Sequence, residues 1–194
     1  MELQKYDGNV HPDEWINNLQ LYFHSKNLDR VYVAKLLVDS TISLPTGINN
    51  LEELCNALKK HISFTVFKNT NKKKLQLLKY FPEREGGDTS KFGSTFRKLC
   101  YNAEINDIKE QKKFLYRSLP NDDFLIELHK RKEKINSMND LTKEFEEIVT
   151  DESSEKANLI KNLSIVALKH VATEKYLSSI ENLCYTTGSK RQLV

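Results

Sequence analysis

The residues that interrupt helices are few in this chain and stand close together. Only six glycines and four prolines occur in 194 residues, and the stretches between them are rich in Leu, Lys, Glu, Asn and Ile. Because strands of ordinary length need frequent turns and helices do not, this distribution favours an all-α fold. Apolar residues make up 39% of the chain and charged residues 29%, a balance that supports packed cores.

Apolar residues recur at helical spacing in each stretch between the breakers. The first helix is predicted to begin at Pro12, which suits the first helical position, and to run through Trp15 and Phe23. The clearest pattern begins at Asp88 or Thr89, either of which can serve as the N-cap, and has apolar residues at Phe92, Phe96, Leu99, Cys100 and Ala103. Other helices are predicted over about 28–41, 51–62, 72–80, 109–119, 122–135, 141–149 and 154–184. The β-branched and aromatic residues at 64–67 predict a loss of regularity after the third helix.

The segment from Pro82 to Asp88 is typical of a linker between domains. Its proline and the pair Gly86-Gly87 forbid a continuous helix. The sequence therefore predicts two small helical domains followed by a C-terminal helical extension. The predicted boundaries are 1–82 for the first domain, 83–87 for the linker, 88–152 for the second domain, 153–184 for the extension and 185–194 for the tail.

No set of reactive residues has the spacing of a catalytic or metal site. The five histidines are dispersed, and the three cysteines form no CxxC pair. The sequence also contains no P-loop, no dinucleotide-binding GxGxxG, no GxSxG elbow and no aspartic-protease triplet. We therefore expect a protein that is not an enzyme and that uses no metal or other cofactor.

The sequence has no segment suited to a membrane or to secretion. No run of about 18 apolar residues occurs, and the first residues lack the basic and apolar regions of a signal peptide. We expect a soluble protein in the cytoplasm.

The positive charge is concentrated in the first 80 residues, which carry 11 Lys or Arg against 8 Asp or Glu, whereas the remainder carries 19 of each. The stretch 54–82 has no acidic residue and contains seven lysines, which are Lys59, Lys60, Lys68, Lys72, Lys73, Lys74 and Lys79. Lysines that contact phosphates give a salt-dependent affinity without sequence preference. The stretch lacks the interleaved aromatic and arginine side chains that read bases. A solvated helical face and a weak contact with RNA both remain open.

Three motifs follow one another in the first 120 residues. Tyr6-Asp7-Gly8 is followed by Trp15, the segment GDTSKFGSTFRKL begins at Gly87, and KFLYRSLP ends at Pro120. In this order they resemble the capsid region of Gag proteins from gypsy-class long-terminal-repeat retrotransposons. The second motif is also similar, more distantly, to the retroviral major homology region. The residues that carry the resemblance are Tyr6, Gly8, Trp15, Gly87, Phe92, Phe96, Arg97, Leu99, Phe114, Leu119 and Pro120.

The resemblance implies a two-lobed, α-helical capsid protein that assembles with copies of itself into a virus-like shell, through hexamers and pentamers or dimers. Members of the family commonly carry a downstream zinc knuckle that binds the RNA genome, and this sequence contains none. RNA binding would therefore rest on the lysines of residues 54–82 and be weak. Neither a membrane nor a small-molecule substrate is implied. Two alternatives stay open, which are an interaction adaptor derived from a Gag protein and a non-specific RNA-binding helical protein.

Overall fold

The structure is a computed structural model that describes residues 4–23, 30–120, 122–157, 168–169 and 176–177. The described residues form eight α-helices and two 3-10 helices. The α-helices are α1 (Pro12–Phe23), α2 (Arg30–Leu36), α3 (Leu51–Lys60), α4 (Ile62–Leu77), α5 (Thr89–Asn102), α6 (Ile108–Ser118), α7 (Asp122–Lys130) and α8 (Met138–Ala157). The 3-10 helices are Glu83–Glu85 and Lys132–Lys134. The predicted all-α fold class is confirmed.

The predicted C-terminal helix agrees with the structure over residues 154–157, which belong to α8, and differs from it at the two later pairs of described residues. Helix α8 ends at Ala157, and Leu168–Lys169 pairs antiparallel with Tyr176–Leu177. These four residues are strand rather than helix, so the predicted helix over 154–184 does not run through them. Tyr176 is of the aromatic type that favours strands. The rest of the predicted extension and the tail lie outside the described residues.

Residues 1–150 form one compact unit and residues 151–194 form another. The first unit contains two hydrophobic clusters. The first cluster consists of Tyr6, Trp15, Ile16, Leu19, Phe23, Ala34, Val38, Ile42, Ile48, Leu54, Cys55 and Leu58. The second cluster is built largely from α5 to α8 and also includes Leu75 and Tyr80. The predicted first domain, 1–82, therefore supplies side chains to the core of the predicted second domain.

Helix α4 lies between the elements of the two clusters, because it contacts α3, which supplies Leu54, Cys55 and Leu58 to the first cluster, and also α5 and α6 of the second. A single residue separates it from α3: His61 has an extended backbone, and its ring Nδ1 accepts a hydrogen bond from the Ser63 amide at 3.2 Å. The predicted irregularity at 64–67 is wrong, since α4 is unbroken there. Phe64 is completely buried, and its packing overrides the weak helix propensity of its neighbours.

Tyr80 is the centre of the second cluster. Its ring centroid lies 5.1 Å from that of Phe92, 5.7 Å from that of Phe124 and 5.0 Å from that of Phe145. Its hydroxyl lies 3.1 Å from the Thr89 hydroxyl. One side chain thus holds α5, α7 and α8 together through edge-to-face ring contacts, which stabilise beyond the area that they bury.

The predicted linker makes close contacts with the residues around it. The amide of Gly87 donates to the Pro82 carbonyl at 3.1 Å. A Cβ atom at Gly87 would lie 1.7 Å from the carbonyl oxygen of Phe81, so only glycine fits at this position. The chain therefore turns tightly here before Asp88 caps α5 by accepting from the Lys91 amide.

Candidate interaction surfaces

The residues that carry the Gag resemblance lie mainly inside the two clusters. The rings of Tyr6 and Trp15 are 5.2 Å apart in the first cluster. The second cluster contains Phe92, Phe96, Leu99, Phe114 and Leu119. Arg97 and Pro120 are exposed. Most of these residues therefore support the fold and offer no side chain to a partner.

Gly8 fixes the N-terminal segment against the start of α4. Its φ is +87°, and a Cβ atom there would lie 2.9 Å from the Cβ of Ser63. Both observations favour glycine, which has no side chain to clash and adopts positive φ freely. Beside it, the Asp7 carboxylate accepts from the amide and the side chain of Asn9, both at 2.9 Å.

The lysine stretch obtains its acidic partners from other parts of the chain. Lys59 lies 2.7 Å from a carboxylate oxygen of Asp13 in α1, and Lys68 lies 2.9 Å from one of Glu104, just beyond α5. Burial alone would raise the pKa of Asp13, but hydrogen bonds from Lys59 and Cys55 outweigh it and lower that pKa below its usual value. The apparent charge run is thus partly neutralised inside the fold.

Two further lysines of the stretch bind to α6. Lys72 lies 2.9 Å from a carboxylate oxygen of Glu110, and Lys79 donates to the carbonyl of Arg117 at 2.7 Å. Within the described residues, no ion pair involves the remaining three lysines, which are Lys60, Lys73 and Lys74, and all three are exposed. Only these three remain available for phosphates without breaking an internal contact.

The buried histidine His11 connects the first helix with α4 and α5. It is 2% exposed, and its ring centroid lies 5.0 Å from that of Phe64 and 4.5 Å from that of Tyr101. Its Nδ1 accepts from the Asp13 amide at 3.2 Å, so the neutral ring is the form that fits. Burial lowers the pKa of His11, although the Asp13 carboxylate opposes this shift.

We expect the free energy of unfolding to fall as the pH is lowered through about 6.5, because the unfolded chain then binds a proton at His11 more readily than the folded chain. The stability contributed by neutral His11 is complete above the ordinary pKa and is lost as the pH falls through the lowered one. His11→Gln should flatten this dependence in urea titrations at several pH values. An unchanged pH dependence in His11→Gln would contradict the assignment.

The described cysteines are buried and protonated. Burial raises the pKa of Cys55 to about 12, assisted by the hydrogen bond of its thiol to Asp13, and burial raises the pKa of Cys100 to about 12 as well. A thiol must ionise to act as a nucleophile or to bind a metal. These two side chains therefore behave as core residues.

Large apolar side chains are exposed on α2. Tyr32 is 61% exposed and Leu36 is 62% exposed, and they stand one turn apart on a helix whose Ala34 packs into the first cluster. Residues four apart share one face of a helix. Helix α2 thus packs Ala34 inward and presents Tyr32 and Leu36 outward.

A groove of about 670 Å³ lies between the loop 7–9 and helices α4 and α5. Its apolar lining comes from Ile62, Val66, Phe67 and Leu99. Polar side chains also line it, and among them Asn71 and Asn102 are buried. The sequence motifs did not indicate this groove. The sequence feature that could have indicated it is an asparagine at an inward helical position in both α4 and α5.

Neither a metal site nor a membrane segment is found in the part of the chain that the structure describes. No group of three or more His, Cys, Asp or Glu side chains is arranged there to hold a metal ion. No helix among these residues has the length and apolar character to cross a membrane.

Comparison with known proteins gives no match for this chain at the level of family models, curated proteins or solved structures. The function is therefore inferred from the sequence motifs and from the surfaces described above.

Proposed function

We propose that this protein is a self-assembling structural protein of the Gag capsid kind, in which copies of the chain contact one another through the apolar face of α2. The observation that carries the proposal is the exposed pair Tyr32 and Leu36 on a helix that is otherwise anchored in a core. Covering such side chains with a second copy removes apolar surface from water, which is the main driving force of association. The order of the three sequence motifs supports the capsid assignment.

The reactive side chains that are described support a structural role. Cys55 and Cys100 have pKa values raised to about 12, and His11 is enclosed by aromatic rings. We propose no catalytic role for them. The particles formed by such a protein would consist of the chain itself, as hexamers and pentamers or as dimers, in the cytoplasm.

Sedimentation velocity of the full chain tests the proposal. We expect a monomer at low concentration and larger species as protein and phosphate concentrations rise. Phosphate strengthens the burial of apolar surface and screens the net charge of +3. A chain that sediments as a monomer in every one of these conditions would overturn the proposal.

A weak, non-specific contact with RNA is a second candidate function. It is favoured by the exposure of Lys60, Lys73 and Lys74, which have no ion pair among the described residues. We expect the triple substitution K60E/K73E/K74E to weaken binding of a fluorescein-labelled oligouridine in anisotropy titrations. Because each single-strand phosphate contact contributes about 0.7 to the slope of log K against log salt, the slope should fall by up to about 2.

A matched variant distinguishes the effect of these three lysines on RNA affinity from the effect of the total charge. K109E/K113E/K134E changes the charge equally at exposed lysines elsewhere and should reduce the affinity less. Equal losses in the two variants would mean that RNA binding depends on net charge alone.

A further inference from the structure

The groove between α4 and α5 is long enough to hold an extended chain. Its lining residues on α4 run from Ile62 to Lys74, twelve positions later, which corresponds to about 18 Å at 1.5 Å per residue. An extended peptide advances about 3.3 Å per residue, so five or six residues span this length. The volume of about 670 Å³ lies within the range of ligand sites in proteins.

The floor of the groove contains a buried amide with an unused acceptor. Asn102 is 7% exposed, and its Oδ1 has no hydrogen-bond partner among the residues that the structure describes. Its Nδ2 makes only a long contact of 3.5 Å with Oδ1 of Asn71, whose own Nδ2 donates to the Phe67 carbonyl at 2.8 Å. An unpaired buried acceptor is unfavourable, and a donor that reached the Asn102 Oδ1 from the groove would satisfy it.

The two ends of the groove carry opposite charges. Lys74 and Lys98 are exposed and, within the described residues, take part in no ion pair, whereas Asp7 lies in the loop against the beginning of α4. A bound segment is therefore favoured when it brings an acidic group to the lysine end. Between the ends, Ile62 and Val66 are 67% and 58% exposed and offer apolar surface.

We propose that this groove binds an extended peptide segment of another protein, with apolar side chains at its centre and an acidic residue at the end beside Lys74 and Lys98. The side-chain Oδ1 of Asn102 would accept a hydrogen bond from a backbone N–H of the peptide. An extended segment fits better than a helix, because the central N–H groups of a helix are already bonded within it. The groove is separate from α2. Its peptide partner would therefore be additional to the second copy that the proposed self-assembly involves.

The test is selection of the full chain against a phage-displayed library of random short peptides. The wild-type protein should enrich peptides with central Leu, Ile, Val or Phe and a terminal Asp or Glu. Lys74→Glu/Lys98→Glu should instead enrich peptides with Lys or Arg at that end. In anisotropy titrations, an acidic peptide selected by the wild type should bind this variant at least tenfold more weakly.

Asn102→Leu should weaken binding of the same selected peptide by a similar factor, provided that circular dichroism shows the variant protein to be folded. If the Asn102→Leu variant does not fold, the result for K74E/K98E decides whether the groove binds the peptide, because substitution of these exposed lysines leaves the core intact. K73E/K113E changes the charge equally outside the groove and should bind the acidic peptide like the wild type.

Three results would overturn this proposal. One is the absence of any enriched sequence, and another is equal affinity of the selected peptide for the wild type and K74E/K98E. The third is a change of self-association in K74E/K98E, because the occupant would then be a second copy. Y32S/L36S should retain peptide binding, so loss of assembly and loss of peptide binding are distinguishable.

Discussion

Replacing both Tyr32 and Leu36 by serine should leave the protein folded and monomeric under conditions in which the wild-type chain sediments as large species. Each fully buried large apolar side chain stabilises a contact by about 1.5–3 kcal/mol, so the double substitution should weaken each contact by a factor of a hundred or more. Both side chains are exposed in the single chain, at 61% and 62%. Their substitution should therefore change the free energy of unfolding by only about 0.5 kcal/mol.

Sedimentation velocity and urea unfolding of the same preparation check both parts of this expectation. The matched control is L77S/I126S, which removes two apolar side chains that are 79% and 53% exposed on other helices. The control should assemble like the wild type. If L77S/I126S abolishes assembly and Y32S/L36S does not, the contact between copies does not lie on α2.

Tyr80→Ala should lower the free energy of unfolding by about 3–5 kcal/mol, the range for large aromatic side chains deleted from a core. The ring is 1% exposed and touches the rings of Phe92, Phe124 and Phe145, so its removal leaves a cavity among α5, α7 and α8. Urea unfolding followed by far-ultraviolet circular dichroism measures the change.

Tyr80→Phe is the control for this substitution. It keeps the ring and removes the hydroxyl that contacts Thr89, so it should cost about 1 kcal/mol. A loss below about 1 kcal/mol in Tyr80→Ala would mean that the cluster closes over the gap, and that Tyr80 does not hold the helices together.

The parts of the fold that depend on neighbouring residues could be predicted from the sequence. Helix α5 is the clearest case: Asp88 was one of the two predicted N-caps, and the apolar residues from Phe92 to Cys100 were predicted as its inward face. A cap and a helical face are set by residues within a few positions of one another. Local patterns therefore predicted this element correctly.

The parts that depend on distant residues could not be predicted in this way. Lys59 and Lys68 belong to a stretch without acids, yet their partners Asp13 and Glu104 lie 46 and 36 positions away. Tyr80 precedes the predicted linker but packs against residues that follow it. No local pattern encodes such contacts, because they exist only after the helices have packed.

The groove is also a product of packing. It combines the loop 7–9 with faces of α4 and α5, and each of these segments alone resembles an ordinary surface or core element. Asn102 lies three positions after the inward-facing Leu99, where an apolar residue would be usual. That exception to the apolar pattern was visible in the sequence, but its meaning depended on the neighbouring helix.

Electron microscopy of the negatively stained full chain, at high protein and phosphate concentration, tests self-assembly most directly. The proposed capsid function predicts closed shells or tubes of regular diameter in the wild type and their absence in Y32S/L36S at the same concentration. Fields of uniform small particles in the wild type, or shells equally abundant in both proteins, would contradict it.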